Sequence, residues 1–107
     1  MMPQTNNEAL CALALEGLKD VIDPEIGLNV VDLGLIYELH CNDAEKTVAC
    51  TMTLTTEFCP MGESMVGGVR ESLQGTFPEY LIDVKLSFQP PWNYDRISES
   101  GREFLNM

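Results

Sequence analysis

The sequence is short of positive charge. Six Lys and Arg stand against 17 Asp and Glu, a formal charge of −11 over 107 residues. Nucleic acid and anionic lipid both require clustered basic side chains, so neither is an expected partner. A protein partner would instead present a basic face. No apolar run approaches the length of a membrane span, and Met1-Met2-Pro3-Gln4-Thr5 has neither the basic nor the apolar region of a signal peptide. The expected compartment is the cytoplasm, with the four cysteines reduced. Those cysteines, at 11, 41, 50 and 59, include no CxxC pair, which argues against a closed structural zinc site. With His40 the one histidine, a His-based metal site or catalytic dyad has a single candidate. Repeats, low-complexity tracts and linkers are also lacking.

What is present is globular in composition, 45% hydrophobic and 21% charged. A chain of this length buries roughly 65% of its unfolded surface, enough for a core without disulfides, and fits one domain over residues 1–107. Thr5 and Glu8 have the T-x-x-E spacing of a capping box. Leu10, Leu13, Ala14 and Leu18 follow at helical spacing, predicting a helix from about residue 6 to about residue 20 that stops before Asp23-Pro24. Cys11 lies beside this stripe and reads as a core or neutral surface residue.

Period two then takes over. Tyr37, Leu39 and Cys41 share one face of a strand, and Val48, Cys50, Met52 and Leu54 share a face of a second after the turn-like Asn42-Asp43. The second strand's other face is Thr47, Ala49, Thr51, Thr53 and Thr55. Setting Cys41 opposite Cys50 brings Leu39 against Met52 and Tyr37 against Leu54, with His40 on the opposite face near Thr51. The two thiols then form a buried pair of small hydrophobes. A second helix is predicted from Pro60 to about Gln74, with Met61, Met65, Val66, Val69 and Leu73 on one side and Gly75 at its end. Gly67-Gly68 inside it disfavours helix by about 1 kcal/mol each, which suggests close packing against another backbone. Ile82, Val84, Leu86 and Phe88 face the core from a third strand that Pro90-Pro91 terminates. A short helix capped by Ser98 carries Phe104 and Leu105. The order α-β-β-α-β-α predicts an α+β fold, a small three-stranded mixed sheet with helices packed on one face. The edges at Ile36 and Val48 remain to be covered, and a homodimer would cover them.

Cys59 stands apart from the other cysteines. Being before Pro60, it is biased to the extended geometry of an N-cap, with its sulfur near unpaired helical N–H groups. Such a position lowers a thiol's pKa by less than about one unit, since the helix end contributes roughly 0.3–1 kcal/mol. Glu57 and Glu63 oppose the effect, and Arg70 is too distant to help. Cys59 reads either as a thiolate that attacks or ligates or as an unusual cap. The acids Asp23, Glu25 and Asp32 read as turn chemistry or as hard ligands, and Trp92 as a lid over the core or, with Pro90-Pro91, as a binding platform.

The motifs Asp23-Pro24-Glu25, Asp32-Leu33-Gly34, Thr55-Thr56-x-x-Cys59-Pro60 with Gly62, and Pro90-Pro91-Trp92 stand in one order. On them the chain resembles the SufT/PaaD-like family of iron–sulfur cluster assembly proteins, also called the MIP-eighteen family or metal-sulfur cluster biosynthetic domains, over about residues 8–106. The resemblance implies an accessory factor for cluster assembly or delivery to apo-proteins rather than an enzyme. It implies transient iron or an iron–sulfur cluster as cargo, no nucleotide, and partners among the assembly machinery and its apo-clients. The family's characteristic cysteine corresponds to Cys59, its acidic loop to Asp23 and Glu25, and its Pro-Pro-Trp element to Pro90, Pro91 and Trp92. These last, with Thr55 and Thr56, are the expected partner contacts. The cysteine-rich C-terminal extension of PaaD-type members and the extra N-terminal stretch of longer SufT forms are not in this sequence, which predicts the minimal single-domain form.

One cysteine cannot complete the four ligands of a cluster. Bound metal would therefore be labile, with further ligands from a second subunit, a partner, a small thiol, Asp23 or Glu25. Two other readings compete: a metal-free adaptor that binds apo-clients through Trp92 and the threonine face, and an enzyme with a Cys59 nucleophile. The last lacks a matched base.

Overall fold

A computed structural model of the protein describes residues 4–6, 8–55 and 62–106. Its elements are β1 (Gln4–Thr5), α1 (Glu8–Leu18), β2 (Ile36–Asn42), β3 (Thr47–Met52), α2 (Gly62–Thr76), β4 (Leu81–Leu86), a 3-10 turn (Tyr94–Arg96) and α3 (Glu99–Leu105). The fold is α+β, with the expected order and one addition: a two-residue strand precedes α1. The mixed sheet runs β1-β2-β3-β4, with β1 parallel to β2, β2 antiparallel to β3 and β3 parallel to β4.

Thr5 is therefore a strand residue, paired with Leu39, and not the first half of a capping box. The Asn6 side chain prolongs this pairing as a backbone unit would. Its Nδ2 donates to the Cys41 carbonyl (2.8 Å), and its Oδ1 accepts from the Cys41 N–H (2.8 Å). In α1 the buried positions are Cys11, Ala14 and Leu18, while Leu13 is 59% exposed. The apolar stripe thus keeps Ala14 and Leu18 as expected but takes in Cys11 and leaves out Leu13, still with helical spacing. Helix α2 buries Gly62, Met65, Val69 and Leu73 and ends at Thr76, one position after Gly75. Met61 and Pro60, expected at its start, lie outside the described residues. The Gly67-Gly68 pair is not a backbone contact: a Cβ at Gly68 would meet Val21 Cγ1 at 3.3 Å, and one at Gly67 would meet nothing within 4 Å.

The β2–β3 register differs from expectation by two residues. Cys41 pairs with Val48 and Leu39 with Cys50, while the pairing shifts between Ile36 and Glu38, where Tyr37 is the extra residue of a bulge. A two-residue slide leaves the same side chains inward, because side-chain direction has period two. The bulge does not. It turns Ile36 into the core, 3% exposed, and leaves Tyr37 half-buried. Ile36 and Val48 are both buried, so neither is the uncovered edge. Cys41 pairs across the ladder with Val48 rather than Cys50, and its sulfur lies 3.6 Å from that of Cys11. Strand β3 stops at Met52, and Thr53, expected on the open face, is fully buried with its N–H donating to the Leu35 carbonyl (2.8 Å). In β4 Val84 is buried, but Leu86, expected inward, is 45% exposed.

Candidate functional site

Each residue of the Asp32-Leu33-Gly34 turn grips the C-terminal segment. The Asp32 carboxylate accepts from Ser98 Oγ (2.8 Å) and from Asn29 Nδ2 (2.7 Å). The Asp32 carbonyl accepts from the Ser98 N–H (2.7 Å), and the Leu33 carbonyl from Trp92 Nε1 (2.7 Å). Gly34 has φ +75°, and a Cβ there would lie 2.3 Å from the Arg96 carbonyl oxygen. Only glycine combines that left-handed backbone with so close a neighbour. Ser98 also caps α3, its Oγ accepting from the Gly101 N–H (3.0 Å), as its position before the helix predicted.

The Pro-Pro-Trp element sits on the same side. Tyr37 Oη donates to the Pro90 carbonyl (2.7 Å), and the Arg96 guanidinium lies 4.3 Å from the Tyr37 ring centroid. Trp92 is half-buried against the core and meets Tyr94 edge-on at 5.3 Å. It has both a lid's packing and an accessible remainder, while Pro90 and Pro91 are exposed. The bulge at Tyr37 is what aims its hydroxyl at this element. Nothing in the residue pattern signals Asn29, Tyr37 or Arg96 as its supports, since each acts through a contact far along the chain.

The acidic loop uses its charge locally. Asp23 is 2% exposed, and its Oδ1 accepts from the Glu25 N–H (2.9 Å) across Pro24, while its carbonyl accepts from Gly27 N–H (2.7 Å). This is an Asx-type turn, completed by Gly27 at φ +84°. Glu25 itself is exposed.

Thr56 and Cys59 lie outside the described residues, as do Glu57 and Pro60. Thr55 is half-buried, three residues beyond the end of β3. On either side of this stretch, Leu54 and Gly62 are buried and line one groove of about 530 Å³ with Val66, Arg70, Leu86 and Phe88. A Cβ on Gly62 would approach Leu54 Cδ1 to 2.8 Å, so glycine lets α2 begin against Leu54, two residues beyond β3.

The three described cysteines are buried. Burial pushes the Cys50 thiol up to about 12. Burial, reinforced by the Cys11 thiol beside it, does the same to Cys41, also to about 12. Such thiols neither ligate nor attack near neutral pH. His40 is exposed, pairs with Ala49, and shares a shallow pocket with Thr51 and Glu38. Among the described residues no three His, Cys, Asp or Glu side chains come together as a metal-binding group.

The chain belongs to the iron–sulfur cluster assembly protein family, whose profile matches residues 14–82. It is 36% identical to the Fe-S protein maturation auxiliary factor YitW of Bacillus subtilis, over 94% of this chain and 97% of that one. It is 40% identical to an Fe-S protein maturation auxiliary factor of Porphyromonas gingivalis, over 78% and 79% of the two chains. Among solved structures, a domain of unknown function from Bacillus anthracis superposes with a TM-score of 0.86 at 34% identity, covering 94% of each chain.

Proposed function

We propose that this protein is an accessory factor in iron–sulfur cluster assembly or delivery to apo-proteins, with Cys59 as a transient ligand to the iron or cluster it passes on. The observation that carries the reading is the fate of the other cysteines: all three described ones are buried, and Cys41 and Cys50 are held protonated. Family membership and the names of the relatives, which are maturation auxiliary factors, supply the biological setting. The cargo is substrate, held briefly. Asp23 is engaged by its own turn, so Glu25 is the freer of the two acidic candidates for a further ligand. The remaining ligands come from assembly partners, apo-clients or a small thiol. The family domain takes up the whole chain, 1–107, and works in the cytoplasm without nucleotide.

A second reading, a metal-free adaptor for apo-clients, draws on the C-terminal surface. Pro90 and Pro91 are exposed there beside Tyr94, itself 66% exposed, and Trp92 and Thr55 are half-buried. Client maturation in cells separates the two. A carrier loses maturation with Cys59→Ser and keeps partner capture. An adaptor loses capture with a Trp92 substitution and is indifferent to Cys59→Ser.

A further inference from the structure

Strand β4 ends the sheet, and among the described residues no strand lies beyond it. Its inner side is committed to β3: the Leu81 N–H donates to the Lys46 carbonyl (2.9 Å) and the Ser87 N–H to the Met52 carbonyl (2.9 Å). Alternation along a strand then directs the N–H and C=O groups of Ile82, Val84 and Leu86 outward. An edge of this kind is a template for another strand. Its side chains are divided by face. Ile82, Val84 and Leu86 lie toward the helices. Leu81, Asp83 and Lys85 lie on the open face, with Leu81 76% exposed and Lys85 Nζ 3.8 Å from Asp83 Oδ2.

We infer that β4 is a self-complementary edge, through which two copies of this chain pair antiparallel about Val84 into one continuous sheet. In that register Val84 faces Val84 of the second copy, and Ile82 faces its Leu86. These are the residues whose backbone groups point outward, so each pair exchanges two hydrogen bonds. Asp83 falls opposite Lys85 of the second copy, and Lys85 opposite its Asp83, so both charges gain opposite-sign neighbours. The charges select the register. Sliding the copies by two residues sets Asp83 opposite Asp83 in one direction and Lys85 opposite Lys85 in the other, and like charges directly opposite one another are destabilising. The contact has two-fold symmetry and closes on itself. Because a ladder of this length is small and each copy carries a charge of −11, the dimer is reversible and forms at high protein concentration. The inference is independent of the role given to Cys59.

Sedimentation of the full chain across concentrations reaching the millimolar range tests it, with circular dichroism reporting the fold of each variant. The parent is expected to dimerise. Asp83→Lys alone, or Lys85→Asp alone, places like charges opposite one another and weakens self-association about ten-fold. The double exchange D83K/K85D restores it, and an equimolar mixture of the two single variants forms heterodimers in preference to either homodimer. Both positions of the exchange, Asp83 and Lys85, are exposed surface, so the variants fold. A parent that stays monomeric, leaving the edge to some other protein's strand, overturns the inference. So does self-association indifferent to these charges, or a mixture that shows no preference.

Discussion

The indole N–H of Trp92 donates to the backbone carbonyl of Leu33 across 2.7 Å, joining two motifs that lie 59 residues apart. Together with the Ser98 hydroxyl on the Asp32 carboxylate, this bond fastens the C-terminal segment to the turn before β2. The Asp-Leu-Gly and Pro-Pro-Trp motifs therefore form one structural unit, and Trp92 presents its outer surface from a fixed mount.

Removing either fastening loosens that mount. Trp92→Phe keeps most of the packing and loses the hydrogen bond, a destabilisation of about 1 kcal/mol. Ser98→Ala loses the α3 cap together with the bond to a carboxylate, about 2 kcal/mol. Chemical denaturation measures both, and the midpoint for Ser98→Ala is expected to be the lower.

Two glycines respond in opposite senses. Gly34→Ala meets the Arg96 carbonyl at a backbone conformation alanine resists, and is expected to cost more than about 2 kcal/mol. Gly67→Ala, inside α2 with open space at its Cβ, is expected to stabilise by about 0.5–1 kcal/mol. Thermal melts of the pair test the placement of both elements.

The element order and fold class can be read from residue periodicity, because helical and period-two spacing are strong over α1, α2 and the β2–β3 hairpin. Register is another matter. A two-residue slide keeps Leu39, Cys41, Val48 and Cys50 inward, so burial pattern does not distinguish the observed pairing from the one with Cys41 opposite Cys50. Strand β1 is too short to show periodicity, and its Thr5, three positions before Glu8, has the spacing of a helix cap in sequence. The bulge at Tyr37 also escapes the pattern, because Ile36, Tyr37 and Leu39 are all apolar enough to fit either face. Motif residues are recognisable one by one, but the contacts of Asp32 with Ser98 and of Leu33 with Trp92 are created by the tertiary fold.

Thiol reactivity distinguishes the cysteines. In the native protein near pH 8, Cys11, Cys41 and Cys50 are expected to resist alkylation, and Cys59 to account for the fast-reacting thiol. Denaturant exposes all four. Mass spectrometry of the labelled peptides identifies the sites.

The same two core thiols bring a pH dependence. Cys41 and Cys50 are raised in the folded state from 9.0 to about 12. Folding thus favours their protonated forms, and this contribution is complete below the pKa of the unfolded thiols. It is lost as pH rises from there through the folded value. Unfolding free energy measured by denaturant is expected to fall progressively above about pH 9, and Cys50→Ala is expected to flatten that decline.

Anaerobic reconstitution with iron and sulfide, followed by visible absorbance and metal analysis of the parent protein and Cys59→Ser, bears most directly on the role of Cys59. Substoichiometric bound iron in the parent, absent from a Cys59→Ser variant of native circular dichroism, is the predicted result. Equal iron in both, or none in either while both remain folded, contradicts it.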